Sequence, residues 1–187
     1  MEEFINYFWQ NSKTKSLVSE FGAPIPDMNG PMNETEQAEF VRQILEVLYK
    51  NRDKVEGLNY WVLSLGTTSL INDDATPRQV LDVIKQYFSP SLIQGKVTNS
   101  LGEGVKDITI KTGDNATQVK TDNSGNYILT IPPRKFTLIL DHPDYPTQNI
   151  DLETTQTKQI ITQNFSIEPK NPGIWYKLKL WWKNTFK

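Results

Sequence analysis

Two periods of apolar residues divide this chain near Ser89-Pro90-Ser91. Before that point the pattern alternates strand and helix; after it the helical period is lost until the final segment. Residues 15–21, KSLVSEF, read as a short buried strand, and a loop rich in Pro, Gly and Asn follows from Gly22 to Asn33. Asn33 is a good N-cap, and Glu36 three residues later completes a capping-box pattern. Phe40, Val41, Ile44, Leu45 and Leu48 recur at helical spacing and predict a helix to about Lys50. Residues 55–64, VEGLNYWVLS, form a second apolar strand. After a polar loop over 67–75, Thr76 is the expected N-cap, with Pro77 in the first helical position. Val80, Leu81, Ile84, Tyr87 and Phe88 give that helix its apolar stripe. Strand, helix, strand, helix implies parallel strands joined by crossovers.

From Leu92 the period changes to two. Ile93, Gly95 and Val97 begin it; Ile108 and Ile110, then Tyr127, Leu129 and Ile131, then Phe136, Leu138 and Leu140 continue it. Turn signals separate these runs at Asn99-Ser100-Leu101-Gly102, Gly113-Asp114-Asn115, Asp122-Asn123-Ser124-Gly125 and Pro132-Pro133. Short alternating strands at this spacing predict an antiparallel sandwich, and the segment from Asp151 to Ile167 adds a further strand or two. In the final segment, GIWYKLKLWWKNTFK, a helix places Ile174, Trp175, Leu178, Trp181 and Trp182 on one face, with Lys177, Lys179, Lys183 and Lys187 spread over the rest. The expected division is an α/β part over 1–89, a sandwich over 90–169 and a basic aromatic tail over 170–187.

Composition narrows the chemistry. A net charge of −2 supplies no global field for nucleic acid or an anionic membrane, so no nucleic-acid partner is expected. There is no cysteine, which excludes disulfides and thiolate metal sites. The single histidine, His142, excludes a His-cluster metal site and is expected to be a turn residue beside Pro143. Neither a metal nor a cofactor is expected; the Asp122/Asn123 turn offers too few oxygens for Ca²⁺. The opening MEEFINYFWQ is acidic where an export signal is basic, and it has no apolar h-region. No run of about 18 apolar residues is present to span a membrane.

The candidate site lies in the first part. Glu20, in Ser19-Glu20-Phe21-Gly22, is a carboxylate at the C-terminal end of a predicted parallel strand, where barrel enzymes place catalytic groups. The next strand carries Asn59-Tyr60-Trp61, and a tryptophan there offers a flat surface for the C–H face of a sugar ring. Asp73 and Asp74 are expected only to solvate a loop.

Across Lys15 to Phe88 these features resemble strands seven and eight of clan A glycoside hydrolases, the cellulases and mannanases. The resemblance rests on strand–Glu–Phe–Gly, a helix with Gln-Ala-x-Phe, a Gly-x-x-Tyr-Trp strand and a Pro-Arg helix. It implies the last two βα units of a TIM barrel, with Glu20 as nucleophile and Trp61, beside Tyr60, as substrate-binding aromatics. The departure is large: the family has six further strands and an acid/base glutamate on strand four. Asn33-Glu34 caps a helix and cannot replace it. Ser91 to about Ile167 resembles a carboxypeptidase regulatory-like domain, a transthyretin-type β-sandwich. That resemblance rests on Gly95-x-Val97, Gly104-Val105, Ile108-x-Ile110, Thr121-Asp122-x-x-Gly125-x-Tyr127-x-Leu129, Pro132-Pro133, Phe136-x-Leu138 and Asp144-Tyr145. The family usually has Gly after that proline pair, where this chain has Arg134.

Together the resemblances imply the C-terminal part of a retaining glycoside hydrolase acting on a β-linked polysaccharide or oligosaccharide, with an accessory sandwich, extracellular or at the cell envelope. The chain alone is expected to be inactive. The alternative is a non-catalytic module that binds carbohydrate or protein. For the tail, one reading is a helix whose apolar face covers the sandwich, or a frayed terminus. The other is an interfacial contact with a membrane surface through Trp175, Trp181 and Trp182.

Overall fold

In a computed structural model, which describes residues 1–26 and 31–185, the apolar residues gather into two separate cores, and the chain divides into Met1–Ser89 and Pro90–Lys187. Part of the predicted 22–33 loop and Lys187 lie outside the described residues.

The first unit runs α1 (Glu2–Ser12), β1 (Ser16–Phe21), α2 (Glu34–Lys50), β2 (Val55–Tyr60) and α3 (Gln79–Phe88). Helix α1 was not legible as a core element. It buries only Ile5 and leaves Phe4, Tyr7 and Phe8 exposed, so its apolar spacing does not report a buried stripe. It stops where Lys13 takes a left-handed φ of 57° and donates its N–H to Trp9 O at 3.1 Å. Helix α2 forms where predicted. Asn33 Oδ1 accepts from the Thr35 and Glu36 N–H groups, while the Glu36 carboxylate accepts from the Asn33 N–H at 2.9 Å. Both halves of the capping box are therefore made, satisfying donors that a helix start leaves open. Its buried face is Ala38, Val41, Leu45 and Leu48; Phe40, expected on that face, is 41% exposed.

Strands β1 and β2 pair in parallel, as successive βα units require, with Val18 opposite Leu58 and Phe21 opposite Tyr60. One face of this two-stranded sheet, with Val18, Phe21, Val55, Leu58 and Tyr60, joins the core formed with α2 and α3. β1 is not the buried strand expected: Leu17 is 65% exposed, and Ser19 and Glu20 are exposed too. The second strand ends at Tyr60 rather than at Ser64. Two strands do not fix the tilt and shear that define a barrel, so the barrel assignment stays with the resemblance.

Helix α3 starts later than expected. Arg78, not Thr76, is its N-cap, and no side chain caps it. The reason is local pairing. The Asn72 N–H donates to Thr76 O at 2.8 Å, the Arg78 N–H donates to Leu70 O at 2.9 Å, and Ile71 bridges to Pro77. These bonds hold residues 76–78 extended, and the Thr76 hydroxyl is drawn to Asp74 instead of the helix.

The second unit is a β-sandwich. β3 (Ser91–Thr98), β4 (Thr109–Thr112), β5 (Gln118–Lys120), β6 (Asn126–Ile131), β7 (Lys135–Asp141), β8 (Gln148–Glu153), β9 (Ile160–Thr162) and β10 (Phe165–Ser166) form two sheets, followed by α4 (Ile174–Thr185). One sheet is β5-β4-β7-β8, antiparallel throughout. In the other, β3 pairs with β6 antiparallel on one edge and with β9 and then β10 in parallel. The predicted period of two holds where both sheets face inward. Ile93, Val97, Tyr127, Leu129 and Ile131 from one sheet meet Ile110, Leu138 and Leu140 from the other, all buried. The Asp122–Gly125 turn is closed by Asp122, whose carboxylate accepts from the Ser124 and Asn126 N–H groups, and by Gly125 at φ 82°. Those same bonds, the Asn126 amide first, hold the Asp122 carboxyl below its usual range. His142 is a turn residue as expected: its Nδ1 accepts from the Asp144 N–H and its ring packs edge-on against Tyr145. Arg134, in place of the usual glycine, sits 3.5 Å from the Asp114 carboxylate.

Gly95 is where β9 gives way to β10. A Cβ there would lie 1.8 Å from Gln163 O. Only glycine lets the Gln163 backbone approach so closely, and Tyr127 locks the crossover by donating its hydroxyl to the same carbonyl at 2.6 Å. Gly95→Ala should therefore force β3 and the Gln163 segment apart. It should cost roughly 1–3 kcal/mol, read as a lower melting temperature of the second unit. Gly173→Ala, which meets nothing within 4 Å, should leave the melting temperature unchanged.

Helix α4 attaches to the sandwich by its polar side. Tyr176 donates its hydroxyl to Glu168, whose carboxylate also accepts from the Ser100 hydroxyl and amide. Lys179 reaches Glu103 at 3.3 Å and Lys183 reaches Ser100 O at 2.5 Å. No residue of α4 is buried. The expectation that its apolar face covers the sandwich is thus corrected: that face is exposed, and the helix is held through hydrogen bonds on its other side. Burial tends to raise Glu168, but the bonds from Ser100 and Tyr176 outweigh it and hold the carboxyl below its ordinary range. A depressed folded pKa contributes stability above the unfolded value of about 4.3, and that contribution fades as pH falls through the folded value. Amide protection factors over 174–185, corrected for the intrinsic pH dependence of exchange, should accordingly fall on acidification below that value, while those in β7 stay high.

Candidate functional site

The C-terminal ends of β1 and β2 carry the sequence-predicted residues. Phe21 O accepts the Trp61 N–H at 2.8 Å, which extends the pairing one residue past Tyr60. Gly22 follows at once, and a Cβ on it would come within 2.5 Å of Trp61 O. The C-terminal ends of the two strands are therefore held together by backbone contact.

Beyond this point the side chains separate into two sets. Tyr60 points inward. Its ring meets Phe21 edge-on at 5.8 Å, and its hydroxyl donates to Thr68 O at 2.9 Å. Burial raises the Tyr60 phenol above its ordinary value, so it stays a neutral donor across the physiological range. Tyr60 therefore anchors the following loop through its hydroxyl. Trp61 points outward and is 59% exposed; Asn59 and Glu20 are exposed as well.

The loop after Trp61 is pinned at several points. Leu70 donates to Val62 O, Ile71 donates to Leu63 O, and Ile25 donates to Thr67 O. Ser69, almost fully buried, donates its hydroxyl to Gly66 O at 2.8 Å, and Arg78 reaches Thr67 O at 3.0 Å. Within this frame Leu63 and Leu65 remain exposed, Leu65 at 84% with a left-handed φ of 63°. A bulky residue in that backbone region is uncommon. The sequence reading missed these two leucines, because an apolar run after a strand reads as more strand.

Glu20 shares no hydrogen bond or ion pair with Tyr60 or Trp61 among the described residues, and no cluster of three or more His, Asp or Glu suited to a metal occurs among them. Asp74 is engaged by Thr76, whose hydroxyl and amide hold its carboxyl below the usual range. Exposed aromatic and apolar side chains on a fixed backbone suit binding. One exposed carboxylate does not make the paired carboxyls that glycoside hydrolysis uses.

No protein-family model matches the chain, and no curated protein matches it. Among solved structures, the chain is similar to one from a complex of type II cohesin with X-dockerin from Acetivibrio cellulolyticus, at 10% identity and a TM-score of 0.37, covering 42% of this chain and 58% of that one. A 3-chlorocatechol 1,2-dioxygenase from Rhodococcus opacus aligns at 11% identity and 0.34, covering 42% and 59%. A DUF3823 family protein from Bacteroides ovatus aligns at 13% identity and 0.34, covering 43% and 45%. The chain spans less than two thirds of the length of each of these structures.

Removing the Tyr60 hydroxyl isolates the anchor. Tyr60→Phe should lose one hydrogen bond, worth about 1 kcal/mol net. Amide exchange at Leu70 and Ile71 should speed up, with little change in β3 or β6.

Proposed function

We propose that this chain is a non-catalytic binding module, and that the exposed end of its two-stranded sheet holds a β-linked oligosaccharide or polysaccharide by stacking on Trp61. The observation that carries this reading is the exposed Trp61 on a backbone pinned by Phe21 O, Gly22 and the Tyr60–Thr68 bond. A rigid aromatic platform binds at low entropic cost, since little is ordered on association. Exposed Glu20 and Asn59 supply polar groups for sugar hydroxyls. In this reading Glu20 is a ligand-binding carboxylate, and the chain works outside the cell or at its envelope, where polysaccharide is met.

A protein ligand is the second reading, favoured by Leu63 and Leu65, whose branched side chains add apolar area that a sugar would not need. Calorimetric titration with a panel of β-glucan and β-mannan oligosaccharides separates the readings. Trp61→Ala should weaken oligosaccharide binding by about 2 kcal/mol, roughly thirtyfold in Kd, and Leu65→Ser should not. No binding to any member of the panel would remove the carbohydrate reading. Turnover of an activated aryl glycoside by the pure chain, lost in Glu20→Gln, would replace it with the catalytic one.

A further inference from the structure

α4 presents an apolar face that its own docking turns away from the sandwich. At about 100° per residue, Ile174, Trp175, Leu178, Trp181 and Trp182 fall within an arc of about 120° on the helix. Tyr176, Leu180 and Lys183 lie on the opposite side, and these three are the half-buried ones. The apolar five are exposed by 66%, 77%, 48%, 59% and 62%. The bonds from Tyr176 and Lys183 to Glu168 and Ser100 leave the helix on the side away from that arc, and Lys179 reaches Glu103 from its flank. An amphipathic helix normally buries its apolar face in its own protein; this one is held by hydrogen bonds with that face outward.

We propose that α4 is an interfacial membrane-binding helix, and that its occupant is the headgroup region of an anionic lipid bilayer. This inference is independent of the carbohydrate reading. Charge complementarity selects the occupant. Lys177, Lys179 and Lys183 are the charged residues of α4, with no acidic residue among them, inside a chain of net charge −2. Lys177 sits about 100° from the centre of the apolar arc, the position from which a lysine stem lies along the apolar boundary while its ammonium reaches phosphate; Lys179, on the other flank, is held by Glu103. Tryptophan suits the same boundary, having a large apolar ring and one N–H donor. No described helix is long and apolar enough to cross a membrane, so the contact is one of lying on the surface. The sandwich contributes orientation: by fixing Tyr176, Lys179 and Lys183, it presents the apolar arc already formed, which removes part of the cost of folding a helix at the interface.

Co-sedimentation of the full chain with vesicles tests this. Vesicles of phosphatidylcholine with phosphatidylserine should retain the protein, and those of phosphatidylcholine alone should retain much less. Raising salt should weaken the binding. Trp175→Ser combined with Trp182→Ser, and separately Lys177→Glu, should each lower the partition coefficient by on the order of tenfold. The melting temperature should fall little, because Trp175 and Trp182 are largely exposed. Absence of binding to phosphatidylserine vesicles would overturn the proposal, as would equal binding to both lipid compositions or undiminished binding by the tryptophan double variant. A dimer that the double variant converts to monomers, with no vesicle binding by the parent, would assign the face to a second copy instead.

Discussion

The close backbone approach at Gly95 is the constraint on which the second unit depends. β3 is the strand every other part of its sheet touches: β6 along one edge, β9 and then β10 in parallel. The changeover needs a partner strand that comes in, leaves and returns within a few residues, and Gln163 does so against a position with no side chain. Without it Phe165 and Ile167 would not reach the core beside Val97 and Tyr127. Gly104 and Gly125 repeat the arrangement at the end of β3, where a Cβ on either would meet backbone within 2.3 Å. The sandwich is thus a well-packed core whose closing segments are admitted by glycines.

The first unit follows a different logic. Its parallel pair is covered on one face by α2 and α3, while Leu17, Glu20 and Asn59 stay exposed. Parallel sheets are usually covered on both faces. The capped α2, its apolar face and the network over 61–78 add to what the covered face of the sheet buries. That network also holds the backbone that carries the exposed Trp61. The rigidity of the loop matters more to the functional reading than the single carboxylate beside it.

How the tail helix is attached shows how side-chain hydrogen bonds set direction without burying area. Each bond is modest, and together they hold the side of α4 that carries the half-buried Tyr176, Leu180 and Lys183 toward the sandwich. Glu168 is the hinge point of the set, since it accepts from Ser100 and Tyr176 at once. That choice converts an ordinary amphipathic pattern into a displayed aromatic surface.

The sequence by itself determined the elements with strong periodicity or explicit chemistry. The capping box at Asn33 and Glu36 placed α2, alternation placed β6 and β7, and the Asp122–Gly125 turn was readable because its residues supply the turn bonds themselves. Parallel pairing of β1 and β2 followed from element order. Tertiary structure decided the rest, wherever competing partners were distant or a face was left uncovered. The bonds of Asn72 and Arg78 to Thr76 and Leu70 moved the start of α3, which no cap rule could anticipate. Leu17, Phe40, Leu63 and Leu65 look like core residues in sequence and are exposed, because apolarity records what could be buried and not what is. The separation of Tyr60 from Trp61, one an anchor and the other exposed, needed the Thr68 carbonyl to be in place. The outward turn of α4 was likewise invisible along the chain: helical spacing defines its two faces, and the bonds to Glu168, Glu103 and Ser100 show which one meets the sandwich.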